Sequence, residues 1–150
     1  MKYGNLIRLD VVDVNAKGDG TTVIDQNEFV VRRGIPGDCV EGRVIKKRRG
    51  HVELEVTKIL SAKIQRKDAP CSHFGICGGC RWQDLSYVDQ LRLKERIVIN
   101  ELKTHAIQVG KIMPILHSIE TMFYRNKMEY SFGTDPDGNL QLGLHRRGRF

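Results

Sequence analysis

Between His51 and Thr57 apolar and polar residues alternate without interruption, Val52, Leu54 and Val56 against His51, Glu53, Glu55 and Thr57. A period of two puts every second side chain on one face, so this segment predicts a half-buried β-strand. Leu6 to Val14, Thr21 to Ile24, Phe29 to Arg32 and Asp38 to Lys47 are the other strand candidates in the first part of the chain. Gly18-Asp19-Gly20, Gly34-Ile35-Pro36-Gly37 and Arg49-Gly50 supply the turn chemistry between them. Five short strands in about sixty residues predict a small closed barrel of the OB type. A two-sheet sandwich is the runner-up, and it usually needs more residues.

The pattern changes after the barrel. Ser61 to Pro70 is read as a linker carrying Lys63, Arg66, Lys67 and Asp68. A helix is predicted from Ser86, where Asp89 three residues on makes a capping-box-like S-x-x-D. Val88, Leu91, Val98 and Leu102 fall on one face of it, Leu93 with Ile97 widens that face, and the end is placed near His105. Arg125 to Arg146 predicts a β-hairpin. Met128, Tyr130 and Phe132 alternate with polar residues, and Leu140, Leu142 and Leu144 mirror them beyond the turn Asp135-Pro136-Asp137-Gly138. The chain is thus read as β-rich, with an OB-like barrel over residues 1–62 and an α+β segment over residues 63–150.

Composition narrows the class. The 150 residues are 40% hydrophobic and 29% charged, ordinary for a soluble globular protein. With 25 Lys+Arg against 18 Asp+Glu the net charge is +7, which favours polyanionic partners. No apolar run approaches membrane-spanning length, and MKYGNLIRLD lacks the apolar core of a signal peptide. The expectation is a cytoplasmic protein with no membrane partner, in which thiols stay reduced and clustered cysteines act as ligands rather than bridges.

Such a cluster is present. Cys71, Cys77 and Cys80 lie in CSHFGICGGC with the spacing C-x5-C-x2-C. Thiolates are soft ligands, and three in one loop can close around a metal centre. Gly78 and Gly79 let backbone amides approach sulfur, where they stabilise the charge of a thiolate-bound cluster. This favours iron–sulfur over zinc, whose sites more often pair two C-x2-C units or add histidines at helical spacing. His73 is within reach as an alternate zinc ligand but would crowd the same loop. A four-iron cluster wants a fourth ligand, and the remaining cysteine, Cys39, opens a predicted strand and reads as a half-buried small hydrophobe. His105 and His117 have no partner at metal-ligand spacing.

Two basic clusters fit phosphate contact. Lys46, Lys47, Arg48 and Arg49 sit at the tip between two predicted strands, and Arg146, Arg147 and Arg149 end the chain opposite Arg125 and Lys127 of the hairpin. Phe74, Trp82 and Tyr87 could stack on bases, although packing around the cysteine loop is the stronger reading.

The run CSHFGICGGCRWQDLSYVDQLRLKERIV resembles the iron–sulfur loop and following helix of the S-adenosylmethionine-dependent RNA uridine-5-methyltransferases with TRAM domains, which act on 23S ribosomal RNA or tRNA. FYRNKMEYSFG with LGLHRRGRF is similar to their central-domain hairpin, and the residues before the loop to their TRAM module. The resemblance implies that Cys71, Cys77 and Cys80 are three of four ligands to a 4Fe-4S cluster, with the fourth beyond Phe150. It implies RNA, 23S rRNA in particular, as partner, with no protein partner evident. It implies S-adenosylmethionine as cofactor of the complete enzyme only. The Rossmann-like methyltransferase domain, with its nucleophilic cysteine and base, has no counterpart among these residues. The chain alone is therefore expected to be inactive, its helix face partly orphaned, and a stand-alone RNA-binding module is the alternative.

Overall fold

The computed structural model describes residues 2–146. Arg147 and Arg149, two of the expected phosphate contacts, lie outside them. Six strands form the main sheet: β1 (Leu6–Asp10), β2 (Asp13–Val14), β3 (Gly20–Ile24), β4 (Asn27–Arg32), β5 (Cys39–Arg48) and β6 (His51–Ser61). Their order is β1-β5-β6-β4-β3-β2. The expected single strand from Leu6 to Val14 is broken at Val11 and Val12, and the break closes the barrel. Its first half pairs with β5 and its second half with β3, at opposite edges of the sheet. Val11 N–H donates to Asp38 O at 2.8 Å and Val12 N–H to Thr21 O at 2.9 Å, so the bend itself is bonded to both edges. With β1 and β2 counted as one bent strand, the sheet is a closed five-stranded barrel of OB type, including the parallel pairing of β4 with β6. Gly20 is required at the closure, because a Cβ there would sit 2.5 Å from Val11 Cγ1 and 2.8 Å from Gly34 O.

The barrel interior holds Leu9, Val11, Phe29, Val31, Val40, Val44, Val52 and Leu54. Val52 and Leu54 are the inward positions of the alternation in β6, with His51, Glu53 and Glu55 facing outward.

A second core joins the barrel to the cysteine segment and the helix. Val14 and Ile35 from the barrel meet Leu85 and Leu93, with Ile64, Trp82 and Ile97 at its margin. Helix α1 (Tyr87–Thr104) starts at the Ser86 cap, whose hydroxyl accepts from Asp89 N–H at 3.1 Å, and its cap at the other end is His105. It buries only part of the expected face. Leu93 and Ile97 pack into the second core, whereas Val88 and Val98 stay 57% and 54% exposed. Polar contacts fix that choice: Arg96 Nε lies 2.7 Å from Asp13 Oδ1, and Asn100 Nδ2 donates to the same oxygen at 2.8 Å.

Ser61 to Pro70, expected as a charged linker, carries a partly buried ionic clamp. Arg66 Nη2 lies 2.6 Å from Asp38 Oδ2 and Nη1 lies 2.8 Å from Asp84 Oδ2, and Nη2 also donates to Arg33 O at 3.3 Å. Asp38 and Asp84 come from the barrel and from the segment after the cysteine loop, so one guanidinium ties three parts of the chain together.

The hairpin forms a separate two-stranded sheet, β7 (Ser131–Thr134) with β8 (Leu140–Gly143). It is shorter than the alternation predicts: Met128 and Tyr130 precede the ladder and Leu144 follows it. Its turn is built as expected, with Asp135 Oδ1 accepting from Asp137 N–H and Asn139 N–H. Phe132, Leu140 and Leu142 are all exposed.

Candidate functional site

Cys71, Cys77 and Cys80 share a loop laid across one end of the barrel. Three contacts dock it there. Arg33 lies over the Phe74 ring at 5.3 Å, Arg81 Nη1 is 3.2 Å from Asp19 Oδ1, and Trp82 packs against Gly18 so closely that a Cβ there would be 2.9 Å from its ring. The chain then returns to the loop from the hairpin. Cys77 and Arg146 form an antiparallel bridge, and Gly78 N–H donates to His145 O at 3.4 Å.

All three cysteines are free thiols, Cys77 half-buried and the other two exposed. Sulfur-directed donors are in place. Gly79 N–H points to Cys77 Sγ at 3.3 Å and Gln83 Nε2 to Cys80 Sγ at 3.4 Å. The chemistry of the donor set therefore fits thiolate ligation. The geometry is not closed: among the described residues no group of three or more His, Cys, Asp or Glu side chains is gathered around one point. Cys39 lies elsewhere, opening β5 beside Asp10 and Ser61.

The basic residues fall into distinct settings. Lys47, Arg48 and Arg49 are exposed at the β5–β6 tip. Lys46 is engaged within the sheet instead, 2.9 Å from Glu53 Oε1, while Arg32 holds the other oxygen of that carboxylate at 3.0 Å. The hydrogen bond from Lys46 is the main cause that holds the Glu53 pKa below its ordinary value; burial opposes it, and Arg32 assists. A carboxylate depressed on folding contributes stability that is complete above the unfolded pKa, near 4.5, and lost as pH falls through the lower folded value. Acid denaturation monitored by circular dichroism should therefore begin at a higher pH in Lys46→Met than in the unaltered chain. An identical acid limb in both would contradict this pairing.

Arg125 and Lys127 lie in irregular chain before β7 and line an open depression with Met128 and Glu129. Lys127 is 2.9 Å from Glu129 Oε1, so they do not face Arg146 across a ladder as the alternation predicts. The aromatic residues serve packing. Trp82 borders the second core, Tyr87 OH accepts from Ser118 N–H at 2.8 Å, and Phe74 supports Arg33. The sequence pattern does not single out Arg33, and it marks Arg66 only as a linker charge. Nothing in their local pattern sets them apart from other surface arginines.

Fold and loop together define an OB-type barrel protein with a cysteine-rich loop docked on one barrel end. No family model matches the chain. Named relatives do. Over its whole length the chain is 38% identical to an uncharacterized RNA methyltransferase of Caldanaerobacter subterraneus, covering 33% of that protein. Uncharacterized RNA methyltransferases of Porphyromonas gingivalis and Nitratidesulfovibrio vulgaris are each 37% identical, matching 95% and 97% of the chain and 34% and 32% of their own lengths. The chain is similar along nearly all of its own length to these RNA methyltransferases, and it spans about a third of the length of the relatives it matches. Among the described residues no helix is long and apolar enough to cross a membrane.

Proposed function

We propose that the chain is the RNA-gripping, cluster-bearing portion of an enzyme that methylates C5 of uridine in ribosomal RNA, 23S rRNA in particular, in the cytoplasm. The observation that carries this reading is similarity along the whole chain to a third of an RNA methyltransferase, in a chain whose cysteine loop has the C-x5-C-GG-C-x-W-Q string. The barrel supports it, since OB-type barrels commonly bind oligonucleotides. Cys71, Cys77 and Cys80 would hold a 4Fe-4S cluster, which would brace the loop against the barrel end. Gly79 N–H and Gln83 Nε2 would then donate to ligand sulfurs and stabilise their charge. S-adenosylmethionine and methyl transfer belong to the whole enzyme, and the 150 residues alone grip RNA without methylating it.

Two measurements test this. Ribosomal RNA from cells lacking the gene should lose a 5-methyluridine by nucleoside mass spectrometry, and an unchanged 5-methyluridine content would overturn the reaction assignment. In the isolated chain, RNA affinity should fall steeply with salt. Arg48→Ala with Arg49→Ala should lower the slope of log K against log[salt] by roughly 1.5, at about 0.7 per single-stranded phosphate released. A slope unaltered by that pair would remove the β5–β6 tip from the interface. A stand-alone RNA-binding module is the competing reading, and it predicts the same salt dependence without any loss of 5-methyluridine.

A further inference from the structure

The tip of β5–β6 is one end of the barrel, and β4, six residues long, leads away from it to Arg33 at the other end, a span of about 20 Å. Charge at this second end is arranged in an uneven way. Its buried or half-buried acids are each taken by an arginine: Asp38 and Asp84 by Arg66, Asp19 by Arg81. Its lysines are not taken. Lys17, Lys63 and Lys67 are exposed and form no ion pair among the described residues, with the exposed Asp68 beside them. The surplus of positive charge here is therefore at the surface, around the cysteine loop.

Arg33 is the most constrained member of this surface. Its φ is +67°, a left-handed conformation unfavourable for a side chain larger than glycine. Two contacts hold it there. Its carbonyl accepts from Arg66, and its guanidinium rests on Phe74 while Gly75 leaves room for it, a Cβ at that glycine falling 2.7 Å from Nη1. A guanidinium seated over a ring keeps its N–H donors available and loses little freedom when it binds. That is an arrangement suited to bidentate contact with phosphate oxygens.

We infer that Arg33, together with the exposed Lys17, Lys63 and Lys67 of the same barrel end, forms a second phosphate-binding surface for RNA at the cysteine-loop end of the barrel, beyond the β5–β6 tip and the hairpin arginines. The inference rests on the RNA reading above. RNA bound to both surfaces runs along the barrel rather than touching the tip alone. The platform under Arg33 is part of the cysteine loop, so the order of that loop sets the affinity of the surface.

The experiment is fluorescence anisotropy of the 150-residue chain with a labelled single-stranded RNA of about twelve nucleotides, across a salt series. Arg33→Gln should weaken binding about three- to tenfold and lower the salt slope by about 0.7, the loss of one phosphate contact. Arg33→Lys should restore the slope but not the full affinity, because charge returns without the fork. Phe74→Leu should weaken binding about two- to threefold at an unchanged slope, because the charge remains without its platform. If Arg33→Gln fails to fold, the Arg33→Lys and Phe74→Leu comparison decides, and wild-type affinity in both overturns the proposal. Arg33→Gln with wild-type affinity and slope, while Arg48→Ala with Arg49→Ala weakens binding, sinks this surface and leaves the RNA reading standing. No binding by the unaltered chain at low salt removes both. Polyglutamate of equal charge competing as well as RNA would assign the surface to an acidic protein and overturn it.

Discussion

Arg66→Ala should lower the unfolding free energy by about 3–5 kcal/mol, the range found when one partner of a buried ion pair is removed and the other charge is left in place. The magnitude comes from where the carboxylates lie. The Asp38 side chain is fully buried, and its Oδ2 is shared between Arg66 and the N–H of Ile35. Asp38 Oδ1 and Asp84 Oδ1 already have no hydrogen-bond partner among the described residues. Losing the guanidinium would strand both acids, and the fully buried one could not turn to water. Arg66→Met combined with Asp38→Asn and Asp84→Asn should recover much of the loss, since removing all the charges together avoids the desolvation penalty. Urea denaturation can follow this through Trp82, the one tryptophan of the chain, which borders the second core. A loss below about 1 kcal/mol for Arg66→Ala, as for an exposed ion pair, would mean the clamp does not hold.

Leu85→Ala is the second substitution with a large expected effect, about 2–5 kcal/mol for a fully buried leucine. Its interest lies in which part of the chain unfolds. Leu85 packs with Val14 and Ile35 of the barrel and with Leu93 of the helix, so the cavity opens at their junction. If barrel and cysteine segment fold together, the Trp82 signal and the far-ultraviolet strand signal should shift to lower urea in one coincident transition. Should the Trp82 transition move while the strand signal stays where it was, the junction would be an add-on to an independently stable barrel. Leu85→Met should cost less than about 1.5 kcal/mol, since it conserves volume.

Local patterns were read well where local physics decides. The alternation of His51 to Thr57 became the first part of β6, and Ser86 with Asp89 capped the helix where the capping pattern put it. Asp135 to Gly138 turned the chain as its residue types require. Each of these depends on neighbours within a few positions, which is what a sequence window contains. The hairpin marks a limit of that approach. Its alternation extends over Met128 to Phe132 and Leu140 to Leu144, yet the ladder spans four residues a side, and a two-stranded hairpin with Phe132, Leu140 and Leu142 exposed is marginal.

The cysteine loop divides in the same way. The three thiols, and the glycine amide that reaches Cys77 Sγ, are legible from residue type and spacing. What holds the loop is not. Arg33, Arg66 and Arg81 act through partners in other segments, and Asp38, the deepest of those partners, is 28 residues from Arg66. Four basic residues at the β5–β6 tip looked equivalent in sequence, but Lys46 faces Glu53 across the ladder while Arg48 and Arg49 reach solvent.

Residue order alone accounts for the alternating strand of residues 51–57, the capped helix start, the turn of the hairpin, the net positive charge and the set of sulfur donors. All of these come from side-chain type and short-range periodicity. Contacts between distant segments are what bend the first strand to close the barrel, choose Leu93 and Ile97 out of the wider apolar face for burial, and make Arg66 a clamp rather than a linker charge. The physical reason is common to all three. Periodicity tells a residue that it has an inner face, but which surface comes to meet that face depends on chain brought together from far apart in sequence.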